Sequence, residues 1–278
     1  MDAMNACAAP ARTPNFGNES VSPADTRHGG GSFAFSIGAG DAVPLTSVVA
    51  PVTVIAPVFA NGSTLTAAAI RWDEVGAFKA TVSLSDYFGA GTVNGTSDWI
   101  GRFYPHHFDT VVTQPCVAGD FAYSGQAFPL QISARNVSGN VTQNYAGAFA
   151  RAVSRVARDT ADTIDNTGSG ALAPASVAAA DFVGGVTKSS LTPTYTFANR
   201  QTTPVSVRVR ATETEVTSLR TPAALTVEGV VNIRSGRARL SNAYGSEMLD
   251  LPVGFRTEFW NGTGAGPGWV LNTADSCT

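Results

Sequence analysis

His106 and His107, with Asp109 two residues on, are the most chemical-looking cluster in the chain. Imidazoles and carboxylates ligate metals, but adjacent residues on a strand point to opposite faces, which keeps neighbouring histidines off a single ion. A turn at a domain junction is the expected role. Only His28 is left to serve a histidine-assisted nucleophile. Asp159, Asp162 and Asp165 offer oxygen ligands of the kind calcium takes, without the EF-hand spacing of acidic positions around a central glycine. They read as a solvated acidic loop. Asp73 with Glu74, and Glu213 with Glu215, are carboxylate pairs. Glycoside hydrolysis needs two such groups across a cleft, and these fall in loop-like or strand-end sequence. With no nucleophile motif, the chain is expected to be no enzyme and to carry no catalytic residue, cofactor or metal.

Aromatic residues offer a different chemistry. Trp72, Trp99, Trp260 and Trp269 are the four tryptophans; exposed on one face they would grip a sugar, whereas in small sandwiches they fill cores and seams. Trp260 and Trp269 flank the loop 261–268, are placed to pair across a hairpin, and are the candidate glycan contacts. Cys7, Cys116 and Cys277 match no metal-ligand spacing. Their odd number leaves open one disulfide in an exported protein, or buried free thiols.

Composition narrows the partners. Charged residues are 14% of 278 and the net charge is −3, against about 25% charged in ordinary globular chains. A nucleic-acid binder needs a clustered basic face, and none is visible; the arginines of residues 151–158 look balanced by the aspartates that follow. No apolar run reaches the ~18 residues of a membrane span, since residues 48–59 are broken by Pro51 and Pro57. No signal peptide is legible at the start; an export signal upstream of residue 1 is the expected explanation.

Strands must position these residues. Val205, Val207, Val209 and Ala211 alternate with polar neighbours, as do Phe78, Ala80, Val82 and Leu84: the period of a half-buried strand. Further strands are expected at 32–37, 51–59, 64–70, 110–113, 130–134 and 253–260, punctuated by Asn61-Gly62, Asn94-Gly95 and Asn261-Gly262 turns. The expected fold is all-β, in tandem immunoglobulin-like sandwich modules. Residues 146–162, with Phe149, Val153 and Val156 at helical spacing, hold at most a short helix or a long loop. The alanine-rich residues 171–180 are ambiguous in the same way. Ala134-Arg-Asn136 followed by Thr142-Gln-Asn144-Tyr145-Ala-Gly147 echoes Asn5, Thr13-Pro-Asn15-Phe16-Gly17, as if a module were reused. Boundaries near 104 and 221 give an incomplete first module (1–104), a central one (105–221) and the opening strands of a third (222–278).

Several blocks carry a resemblance: Ile100-Gly-Arg-Phe103, Pro105-His-His107-Phe-Asp109, Phe121-Ala-Tyr123-Ser-Gly125-Gln126, and Gly236-Arg-Ala-Arg-Leu240-Ser-Asn242-Ala-Tyr244-Gly245. Phe259-Trp260-Asn261-Gly262 and Asp275-Ser-Cys277-Thr278 complete the set. Together they resemble the C-terminal, DUF6701-like region of MshQ-like proteins, which belong to the mannose-sensitive haemagglutinin (MSHA) type IV pilus system. The resemblance implies a non-enzymatic stalk or docking segment of an exported bacterial surface protein, at the cell surface or outer envelope. Its partner would be a pilus or cell-envelope protein, or a surface glycan. The rival reading is a carbohydrate-binding module. With export implied, Cys116 and Cys277 are the expected disulfide pair.

Overall fold

The computed structural model describes residues 31–38, 52–54, 70–84, 93–96, 98, 100–116, 120–159, 170–262 and 268–275. The chain forms two compact units, residues 1–103 and 104–278. Both are built from β-strands, and the only helical turns among the described residues are short 3-10 turns.

In the first unit, β1 (Gly31–Gly38) pairs antiparallel with the whole of β4 (Gly76–Leu84). β5 (Val93–Thr96) and β6 (Ile100–Phe103) pair with the two ends of β4, with a register shift between Gly76 and Phe78. β2 (Val52–Val54) and β3 (Ile70–Trp72) form a separate pair. Asn94-Gly95 lies inside β5 rather than at a turn: ladder pairing outweighs the turn preference of that dipeptide. Asn61-Gly62, the Trp72 side chain, Trp99, and the first copy of the echoed phrase lie outside the described residues.

The second unit is a sandwich. One sheet runs β12–β10–β16–β17–β8 and the other β13–β14–β9–β7. In the first, β8 is Ala122–Tyr123, β10 Val153–Arg158, β12 Ser176–Val177, β16 Val205–Thr212 and β17 Val230–Arg234. In the second, β7 is His107–Val112, β9 Leu130–Arg135, β13 Phe182–Val183 and β14 Val186–Thr187. A short ladder of β11 (Gly170–Ala173) and β15 (Thr194–Phe197) stands beside them.

The inward residues alternate as the period demands: Val207, Val209 and Ala211 of β16 are fully buried, as are Ile132 and Ala134 of β9. Phe108, Tyr145 and Phe182 pack edge to face, with ring centroids 5.7 and 4.9 Å apart. Each large side chain so buried contributes about 1.5–3 kcal/mol.

Residues 153–158 are a strand, not a helix. Val153, Arg155 and Ala157 face inward in period two, while Val156 is only half-buried. Arg155 hides the alternation, because an arginine at an inward position reads as polar. Its Nη2 donates to the carbonyls of Pro174 and Ser176 (3.2 Å to the latter), and burial holds its pKa below the ordinary value. Arg151 instead reaches Glu215, at 3.1 Å. The alanine-rich stretch resolves into β11, β12 and a 3-10 turn at Ala179–Asp181.

A last sheet follows: β18 (Gly236–Leu240), β19 (Phe255–Trp260) and β20 (Trp269–Leu271).

Candidate functional site

The echoed phrase is architectural. Asn136 Oδ1 accepts the amides of Ser138 and Asn140, both at 3.0 Å, and turns the chain back. Thr142 then donates its amide and its hydroxyl to Ala134 O, at 2.9 and 3.2 Å. That return drops Tyr145 into the core, fully buried. In this copy the residue types meet the demands of a turn and a plug.

The histidine pair is likewise built in. His106 lies in the bend before β7 and His107 is its first residue, so the two rings meet edge to face with Nδ1 atoms 3.0 Å apart. The opposite-face rule fails here because only His107 is in the strand. His107 is buried, its Nε2 lies 3.5 Å from Asp109 Oδ1, and Arg135 Nε sits 2.9 Å from Asp109 Oδ2. Among the described residues no group of three or more His, Cys, Asp or Glu is placed to hold a metal. Asp162 and Asp165 lie outside them. Glu213 is buried and Glu215 partly exposed, and Arg151 Nη1 lies 3.9 Å from the first and 3.1 Å from the second.

Burial, and then the charge of Arg220, lower the pKa of His107 below 6.5. Between the folded value and 6.5 the unfolded chain binds more protons. The stability this group contributes is therefore complete above about pH 6.5 and is lost as pH falls through the folded pKa. Thermal melts at about pH 7.5 and about pH 5 check this. The wild type is expected to lose more midpoint temperature on acidification than His107→Gln.

The features left over converge on the C-terminal sheet, which is fastened to the sandwich by a polar latch. Arg234, at the end of β17, donates Nη1 to Asn272 Oδ1 at 2.8 Å. Its guanidinium carbon stands 5.2 Å from the centre of the Phe121 ring and 4.5 Å from that of Phe259. Tyr123 on β8 donates its hydroxyl to Asp275 at 2.7 Å and accepts from Asn272 at 2.5 Å. Burial and the Asp275 bond raise the pKa of that phenol, so it stays protonated and able to donate. Gly236 permits the close approach: a Cβ there would fall 2.2 Å from the Tyr123 ring. Gly236→Ala is expected to cost about 1–3 kcal/mol by overpacking, measured as a shift in the urea midpoint, with Tyr123→Ala as the relieving second change. Cys116, two hundredths exposed, bonds its amide to Phe121 O at 3.3 Å and is itself disulfide-bonded. Cys7 and Cys277 both lie outside the described residues.

On this sheet Trp260 and Trp269 face each other across β19 and β20, ring centroids 5.3 Å apart at 69°. Both are half-buried. Gly268, at φ +56°, makes room, since a Cβ there would meet the Trp260 ring at 2.5 Å. The Arg200 guanidinium stands 5.1 Å from the centre of the Trp260 ring and 5.4 Å from that of Trp269, and Arg237 lies 4.4 Å over Trp269. Arg200 is positioned through Ser235, which accepts the Gln201 amide on Oγ at 2.8 Å and the Trp260 amide on its carbonyl at 2.9 Å. The tryptophans were legible as a hairpin pair. Their arginine partners come from other segments and were not.

Sequence reasoning also missed the exposed apolar run that joins β18 to β19. Tyr244 is 92% exposed, Met248 83% and Leu249 75%, with Leu240 and Phe255 exposed at either end. Its signal was the density of apolar side chains between two strands with no alternation.

An all-β sandwich with a further sheet latched to it defines a modular β protein, in which no described helix is long and apolar enough to cross a membrane. Residues 74–227 match the third domain of the DUF6701 family and residues 234–278 match its fourth domain, so the chain belongs to that family. No curated protein and no solved structure matches it.

Proposed function

We propose that this chain is a non-enzymatic, modular segment of an exported bacterial surface protein. Its modules serve as stalk and docking surface for a pilus or cell-envelope protein, in biogenesis or adhesion of an MSHA-like type IV pilus. The observation that carries the reading is the apolar run of residues 240–255. Side chains such as Tyr244, Met248 and Leu249, held in water, gain from being covered, and protein partners cover such patches. The disulfide of Cys116 fits an oxidising, extracytoplasmic compartment. Cys277 is its proposed partner, because Asp275, two residues away, is already bound to Tyr123 beside the Cys116–Phe121 bridge.

The test uses the native cell. Pili are sheared off and purified, and the protein is immunoblotted in pili and in washed envelopes, with Tyr244→Ser/Leu249→Ser alongside the wild type. Enrichment with pili or with an envelope complex, lost in the double variant, supports docking through this run. A protein recovered free of both overturns the reading.

A further inference from the structure

We propose that the arginine rank on the tryptophan face of the C-terminal sheet is a binding site for an acidic polysaccharide, its carboxylates received by Arg239 and Arg256. Paired residues share a face of a sheet, as do residues two apart on one strand. The register therefore stacks three rungs on one face: Trp260 with Trp269, Glu258 with Arg237 and Leu271, and Arg256 with Arg239. The single carboxylate of Glu258 serves all three arginines. Arg237 lies on its Oε2 at 2.7 and 2.8 Å, and Arg256 and Arg239 lie on its Oε1 at 2.7 and 3.4 Å. Hydrogen bonds from Arg237 hold the Glu258 carboxyl below its ordinary pKa, so it stays ionised.

Three guanidiniums on one carboxylate leave a surplus of two positive charges, and Arg200 over the indoles brings it to three. The whole chain carries −3, so this face stands out against its own background. Like charges directly opposite on neighbouring strands destabilise a sheet, and Arg239 and Arg256 are such a pair. Their side chains are 51% and 46% exposed. Each reaches Glu258 through one nitrogen while about half of its side chain is exposed. A guanidinium offers a planar fork that matches a carboxylate.

The neighbouring indoles set the polymer class. Arg200 and Arg237 cover ring faces that a neutral sugar would need. Both indoles are half-buried and occupy the rung beyond Glu258, so they close one end of the rank and offer a sugar ring a side to rest on. A rigid sugar polymer presents its carboxylates at fixed spacing, whereas an acidic peptide must order each long side chain at an entropic cost. The site borders the apolar run, since Leu240 and Phe255 form the next rung of the ladder on the opposite face of the sheet, and it does not depend on the docking reading.

Binding of the full chain to polygalacturonate, dextran and polyglutamate, measured by calorimetry at one fixed ionic strength, tests this. Polygalacturonate is expected to bind, dextran not to bind, and polyglutamate to bind more weakly. Arg239→Gln/Arg256→Gln is expected to weaken polygalacturonate binding about tenfold or more, the worth of one charge-assisted hydrogen bond. Arg239→Lys/Arg256→Lys keeps the charge, loses the fork, and is expected to weaken binding severalfold. Lys188→Gln, a charge loss elsewhere, is expected to change nothing. Circular dichroism checks folding; if the glutamine variant unfolds, the lysine variant decides. Absent binding by the wild type, equal binding of polyglutamate, or full binding by the lysine variant overturns the proposal.

Discussion

Replacing Glu228 with alanine is expected to cost about 3–5 kcal/mol, the usual penalty for removing one partner of a buried ion pair. The Glu228 side chain is 1% exposed and takes the Arg210 guanidinium in a fork, Nε at 2.8 Å and Nη2 at 3.2 Å. Ser218 donates its hydroxyl to the same carboxylate at 2.5 Å while accepting the Ala211 amide at 3.0 Å. Alanine at 228 would take the carboxylate fork away from Arg210, itself 12% exposed. It would also leave Ser218 without its acceptor. The adjacent Gly229 amide donates to Thr110 Oγ1, whose hydroxyl donates to the carbonyl of Val209. The disturbance therefore reaches β7 and β16 together. Urea unfolding followed by tryptophan fluorescence measures the loss. Arg210→Met/Glu228→Leu, which removes both charges, is expected to recover most of it.

Losing the Cys116 disulfide is expected to destabilise the protein by about 2–5 kcal/mol. Cys116→Ala should match the effect of a reductant on the wild type, and reductant should then do nothing further to the variant. Loosening should concentrate at the latch, because Cys116 bridges Phe121, and Phe121, beneath Arg234, meets Tyr123 edge to face at 5.2 Å. Hydrogen exchange localises it: amides of residues 120–124, 255–262 and 268–275 are expected to lose protection first. Peptide mapping without reductant checks the pairing, and a Cys7–Cys116 peptide in place of Cys116–Cys277 would reject the assignment made above.

How far the sequence reveals the fold depends on how many residues carry a period. β16 and β4 announce themselves because residues 205–212 and 78–84 alternate without interruption. β10 does not, since its central inward position is the arginine that binds Pro174 and Ser176 carbonyls. β8, β12, β13 and β14 are two residues each, too short for any period, and exist only because a neighbouring strand offers hydrogen bonds. The site divides in the same way. A nine-residue separation across an Asn-Gly turn is enough to set Trp260 against Trp269. That Arg200 and Arg237 lie on those rings depends on Ser235 and on strand register, which are decided by packing of segments far apart in the chain.

The latch also governs when this unit can be finished. Tyr123 and Asp275 are separated by 152 residues, and β8 joins its sheet only by parallel pairing with β17. A chain emerging amino-end first would hold residues 120–124 without their partners in β17 and around Asp275 until those segments arrive. Contacts of such long sequence separation put folding in the slow regime, milliseconds to seconds for sandwiches of this kind. Under the export proposed above, the same separation keeps this unit open until residues 255–262 and 268–275 have followed residues 120–124 across the envelope.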